Sequence, residues 1–115
     1  MVVDKNEKRR YIVCINDILF EWDLSKELSN QKKHGVSFAE AATVFFDHMY
    51  IEIADPDHSQ FEERFIAFGI SEQYRVLAVC HSVLEDEKAL RIISARQATA
   101  SEVRQYGEKT NAGRI

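Results

Sequence analysis

A chain of 115 residues, 45% hydrophobic and 30% charged, fits one domain with a single core and a well-solvated surface. The formal net charge of −4 argues against broad, sequence-blind binding of nucleic acid, which shows as excess Lys and Arg, but leaves room for a local basic site. No segment approaches the ~18 apolar residues of a membrane span, and the charged start MVVDKNEKRR lacks a signal peptide's apolar centre, so the protein is expected in the cytoplasm.

In chain order, residues 1–10 read as a weakly ordered tail. YIVCI and ILFEW, rich in β-branched and aromatic residues, predict one or two short strands with a turn at Asn16-Asp17. Asp23 is a good N-cap for a helix over Leu24 to Lys33, and Gly35 stands where a left-handed cap ends it. Ser37 and Glu40 form an S-x-x-E capping box for a second helix reaching about Asp47, with an apolar stripe at Phe38, Ala41, Ala42 and Phe45.

The rest predicts a β meander: MYIEIA, the loop DPDHSQ, RFIAFGI, the tight connection SEQ, YRVLAVCHSV, the turn LEDEK and ALRIISARQA. Thr99 and Glu102 form a second capping box for a helix to about Glu108, and NAGRI is a frayed end. The expected architecture is α+β: a small antiparallel β-sheet, two helices before it and one after, with one face covered and one open. Cys14 and Cys80 lie in the apolar stretches IVCI and LAVCHSV, outside any CxxC, and are expected as reduced, buried thiols.

QKKHGVSFAE admits two readings. Lys32, Lys33 and His34 can be the basic last turn of a helix, which complements its dipole by ~0.3–1 kcal/mol each, or they can edge a site that grips a polyanion. The other polar groups able to do chemistry are Arg64, Arg75, His81, Arg91, Ser94 and Arg96, all on predicted strands. Alternation puts Arg75, Leu77, Val79 and His81 on one face, opposite Val76, Ala78 and Cys80; it puts Arg91, Ile93 and Ala95 opposite Ile92, Ser94 and Arg96.

If LEDEK pairs Leu84 with Lys88, His81 falls opposite Arg91, a pair suited to proton transfer and phosphate binding. If SEQ pairs Ile70 with Tyr74, Arg64 falls opposite Cys80 on the face of Arg96. That gives two basic sets on opposite faces, which a one-residue slip or a bulge would merge. The plainer alternative is that these charges pair with Glu62, Glu63 or Glu52. A metal site at Asp55, Asp57 and His58 is disfavoured, because DPD is turn chemistry. The chain has no HExxH, no Gly-rich phosphate loop and no GxSxG.

FEWD, KHGVSFAEA, DPDH, ER, RVLAVCH and RIISARQAT, with Glu102 and Tyr106 beyond, together resemble the BrnT family of ribonuclease toxins over Phe20 to Tyr106. The resemblance implies a RelE-like fold and metal-independent cleavage of RNA by its own 2′-hydroxyl, without cofactor, which inhibits translation. It implies a BrnA-like ribbon-helix-helix antitoxin that neutralises the toxin and alone links it to operator DNA; a homodimer is left open. The matching positions are Lys33, His34, Glu40, Asp55, Asp57, His58, Glu63, Arg64, His81, Arg91, Arg96 and Tyr106.

Of these, Arg64, His81, Arg91 and Arg96 are expected to be catalytic, and Lys33, His34 and Tyr106 to bind substrate. The expected domain is 19–109, with 110–115 as a tail. Residues 1–18 form an extension, either an added edge strand or the product of a start codon placed too early. Two positions depart from the family pattern: Ser82 stands for Thr and Leu84 for Arg. Leu84 and the acidic net charge favour the rival reading, an inactive partner-binding module that acts with a DNA-binding antitoxin in autoregulation.

Overall fold

The computed structural model describes residues 10–55, 62–84 and 89–112, with only the backbone for 111 and 112. Residues 1–9 and 113–115 of the expected tails, Asp57, His58 and most of LEDEK lie outside the described residues, while Arg10 belongs to a strand and 110–112 continue the last helix past the expected end near Glu108. Among the described residues ten elements follow in order: β1 (Arg10–Ile15), β2 (Ile18–Asp23), α1 (Leu24–His34), α2 (Phe38–Thr43), a 3-10 turn (Val44–Phe46), β3 (Ile51–Ala54), β4 (Arg64–Ile70), β5 (Val76–Val83), β6 (Ala89–Gln97) and α3 (Ala100–Ala112).

Local chemistry explains most of the boundaries. Asn16 and Asp17 both adopt positive φ, 48° and 70°, as a two-residue type I′ turn between β1 and β2 requires. Asp23 accepts from the backbone of Ser25 and Lys26 and starts α1. Gly35, at φ 66°, ends it by donating to Gln31 O. At α2 only half of the expected capping box forms. Ser37 accepts from Glu40 N (3.0 Å), but the Glu40 carboxylate turns away to Arg75, and Glu27 instead accepts from Phe38 N (2.9 Å).

At α3 both halves form. Thr99 N donates to Glu102 (2.8 Å) and Glu102 N to Thr99 (3.2 Å). Arg96 also donates two hydrogen bonds to Glu102, and this guanidinium, more than any other partner, lowers the Glu102 pKa to about 2. A carboxylate depressed in the folded state contributes stability above its unfolded pKa and loses it as pH falls through the folded value. Glu102→Gln should therefore cost about 1–2 kcal/mol at pH 7 after discounting for solvent. The gap from the parent should close between pH ~4.5 and ~2 in urea titrations.

The six strands lie in the order β1-β2-β6-β5-β4-β3. The expectation of a purely antiparallel sheet is corrected here, because β2 and β6 pair in parallel. The chain leaves β2, crosses one face as α1 and α2, and enters β3 at the far edge; three antiparallel pairings later β6 arrives running with β2. Phe20, Trp22, Ala67, Leu77, Val79 and Ile92 bury against Val36, Phe38, Ala41 and Ala42 beneath those helices. Burial of this apolar surface is the main source of stability.

β1 is an outer strand and its Cys14 is exposed, contrary to the expectation of burial, because only Val13 and Ile15 of its alternating set turn inward. Cys80 is half-buried. Beyond Glu21 and Arg91 β2 no longer pairs with β6. There Asn30 of α1, buried, takes over the ladder: its side chain donates to Ala95 O (2.8 Å) and to Val36 O (2.9 Å) and accepts from Ala95 N (3.1 Å). This clamp holds the end of α1, and with it His34, beside β6.

Candidate nucleic-acid interface

Two register facts assemble the site. β4 and β5 pair Ile70 with Val76, so Arg64 lies opposite Ser82 rather than Cys80. The shift is two residues, which keeps Arg64 on the expected face. β5 and β6 pair Cys80 with Ser94 but His81 with Ile92, which leaves Ile93 as a bulge. The expected facing of His81 and Arg91 is thereby corrected: Arg91 lies opposite Ser82 and joins Arg64, Ser94 and Arg96 on the face away from α1 and α2.

A recess of about 290 Å³ opens on that face, lined by His34, Asp55, Arg64, Cys80, Ser94 and Arg96. Each arginine is held by a carboxylate. Arg64 donates from Nε (3.3 Å) and Nη2 (3.2 Å) to Glu62 Oε1. Arg91 Nε donates to the nearly buried Glu21 (2.8 Å), and its Nη1 lies 3.7 Å from Glu62 Oε2. Arg96 grips Glu102. Asp55 is tied to β4 through its backbone N–H to Arg64 O (2.8 Å). Burial, and then the Asp55 charge, push the Cys80 thiol up, so at neutral pH it is held as a thiol rather than a nucleophilic thiolate.

The remaining expected site residues lie elsewhere. His81 is fully buried on the helix-covered face, its ring 4.8 Å from that of Phe45, with Nδ1 3.2 Å from Val79 O and Nε2 2.9 Å from Glu52 Oε1. The ring has no exposed surface and lies on the face opposite to Arg64, Arg91 and Arg96. His81→Ala should cost roughly 2–4 kcal/mol through the cavity and the stranded acceptors, read as a lower urea midpoint. Tyr106, 6% exposed, donates its hydroxyl to Asp47 and anchors α3. Lys33 is exposed on the last turn of α1 beside His34.

Arg75 precedes β5 instead of lying on it, and it reaches Glu40 and Gly35 O. The plainer reading of the strand charges is met at Glu62 and Glu52, which pair with Arg64 and His81. Sequence reasoning missed Asn30 and Glu21. Only the strand-alternation count, which sets Glu21 beside the outward residues of β2, offered a signal for either.

The family model described as "Ribonuclease toxin, BrnT, of type II toxin-antitoxin system" matches residues 22–102. The chain belongs to the BrnT family. Its matched span takes in His34, Arg64, Arg91 and Arg96, and leaves out Arg10 of β1 and Tyr106 of α3. The Brucella abortus ribonuclease toxin BrnT, known from a 1.1 Å crystal structure, is similar at 26% identity over 68% of this chain and 92% of that chain, with a TM-score of 0.49. No curated protein matches. A BrnT-family toxin belongs to a type II toxin–antitoxin system, and so has an antitoxin as partner. Among the described residues no helix is long and apolar enough to cross a membrane.

Proposed function

We propose that this BrnT-family chain is a metal-independent endoribonuclease that cleaves RNA on the open sheet face, inhibits translation in the cytoplasm, and is neutralised by a BrnA-like ribbon-helix-helix antitoxin that carries the pair to operator DNA. The carrying observation is that Arg64, Arg91 and Arg96 share one face, with His34 lining the same recess as two of them. Guanidinium groups bind phosphate oxygens bidentately and stabilise the charge that grows on them during transfer.

In this reading His34 accepts the proton of a ribose 2′-hydroxyl. O2′ attacks phosphorus, the bond from phosphorus to O5′ breaks, and the leaving oxygen takes a proton from water. The products are a 2′,3′-cyclic phosphate and a 5′-hydroxyl. The arginines hold the pentacoordinate phosphorus, and Lys33 beside His34 meets the flanking backbone.

Incubation of antitoxin-free protein with single-stranded RNA in EDTA tests the proposal. Fragments ending in cyclic phosphate, absent with His34→Ala, support it; intact RNA, both free and on ribosomes, from a folded sample removes it. The second reading, an inactive module for antitoxin binding, draws on the pairing of all three arginines with carboxylates and on Leu84. Intact RNA together with tight antitoxin binding would establish it.

A further inference from the structure

Arg64, Ser82 and Arg91 form a row across β4, β5 and β6, each the register partner of the next. Above the row, one carboxylate spans both guanidiniums: Glu62 Oε1 accepts from Arg64, and Glu62 Oε2 lies 3.7 Å from Arg91 Nη1. Within the row, Ser82 is 2% exposed, and its Oγ has no hydrogen-bond partner among the described residues. A buried hydroxyl without a partner carries a free-energy cost unless a ligand meets it. Two arginines around one carboxylate, beside an unused hydroxyl, match the needs of a tetrahedral phosphate, which offers more acceptor oxygens than a carboxylate.

Glu21 and Glu62 differ in kind. Glu21 is 8% exposed, bonds Arg91 Nε directly and lies 4.0 Å from Arg10, so it belongs to the sheet. The Glu62 side chain is 36% exposed and sits just before β4, outside the sheet.

We infer that the Arg64–Ser82–Arg91 row is the seat of an RNA phosphate, and that Glu62 occupies it in the free protein as an internal competitor that RNA must displace. The inference rests on the RNA-binding reading and adds to it a location for one phosphate and a brake on binding. Removing the Glu62 charge takes one competing carboxylate from both guanidiniums and leaves the Glu21 contact to Arg91 intact.

The test is fluorescence anisotropy of a labelled single-stranded RNA with parent, Glu62→Gln, Glu72→Gln and Glu62→Gln/Arg64→Ala proteins. Glu72 lies in the β4–β5 connection, and its substitution changes the net charge by the same amount away from the row. The expected result is roughly tenfold tighter binding for Glu62→Gln, little change for Glu72→Gln, and loss of the gain in the double variant. Circular dichroism confirms that each is folded.

Equal gains from Glu62→Gln and Glu72→Gln would reduce the effect to net charge and overturn the inference. So would weaker binding by Glu62→Gln, which would make Glu62 an orienting partner of Arg64. If the parent binds RNA through Arg64 and Glu62→Gln gains nothing, the inference fails and the function stands. If neither the parent nor Glu62→Gln binds, both fall. Binding by Glu62→Gln alone would support both.

Discussion

Arg91→Ala should leave the protein folded and lower RNA cleavage about 100- to 1000-fold, the usual loss when one preorganised donor to a transition-state oxyanion is removed. The bulge at Ile93 turns Arg91 onto the face of Arg64 and Arg96, and its guanidinium is about one-third exposed, open to a substrate. Alanine also takes a partner from Glu21, which retains the contact with Arg10 at 4.0 Å, so the stability loss should stay near 1 kcal/mol.

Cleavage assays at matched folded fraction separate the two effects. Arg64→Ala should act in the same direction, because Arg64 flanks Ser82 from the other side. Parental cleavage by a folded Arg91→Ala protein would sink the assignment of the open face. A rise in KM with kcat unchanged would leave Arg91 as a binding group rather than one that acts on the transition state.

Arg75→Ala should have one of the largest effects on stability, about 3 kcal/mol, because it leaves the buried Glu40 carboxylate without the part-exposed guanidinium that balances its charge. Glu40 is 2% exposed and accepts from Arg75 Nε (2.8 Å) and Nη2 (2.6 Å) and from Ser71 Oγ (2.6 Å). Arg75 Nη2 also donates to Gly35 O (2.9 Å), so one guanidinium ties the end of α1 to α2 and to the start of β5. A loss of that size is a large share of the ~5–15 kcal/mol that holds a typical domain.

The pH dependence has a definite sign. The Arg75 guanidinium, ahead of the opposing cost of burial, holds the Glu40 carboxyl below the ordinary carboxylate range. The stability it lends is present above the unfolded carboxylate pKa and drains away as pH falls through the lower folded value. In Arg75→Ala that acid-side loss should shrink, because the stranded carboxylate then resists ionisation. Urea unfolding at pH 7 and across the acid limb measures both. A change under 1 kcal/mol at pH 7 would mean that water replaces the guanidinium without penalty.

The elements legible from sequence are those set by short-range chemistry. Asn16-Asp17 allows the left-handed backbone that a two-residue hairpin needs, Gly35 ends a helix for the same steric reason, and Thr99 with Glu102 caps α3 within four residues. The motifs from FEWD to RIISAR carried the family, and alternation placed Arg64 with Arg96.

Tertiary structure alone decided whatever hangs on long-range register. The parallel pairing of β2 with β6 depends on where four later strands deliver the chain. Asn30 finds Ala95 across 65 residues, and Glu40 prefers Arg75, 35 residues away, to its local capping role. The single extra residue at Ile93 decides which arginines share a face, since period-2 alternation holds only along an unbroken strand. That one insertion sends Arg91 to the open face and pairs His81 with Ile92 inside the core, and no local residue preference encodes it.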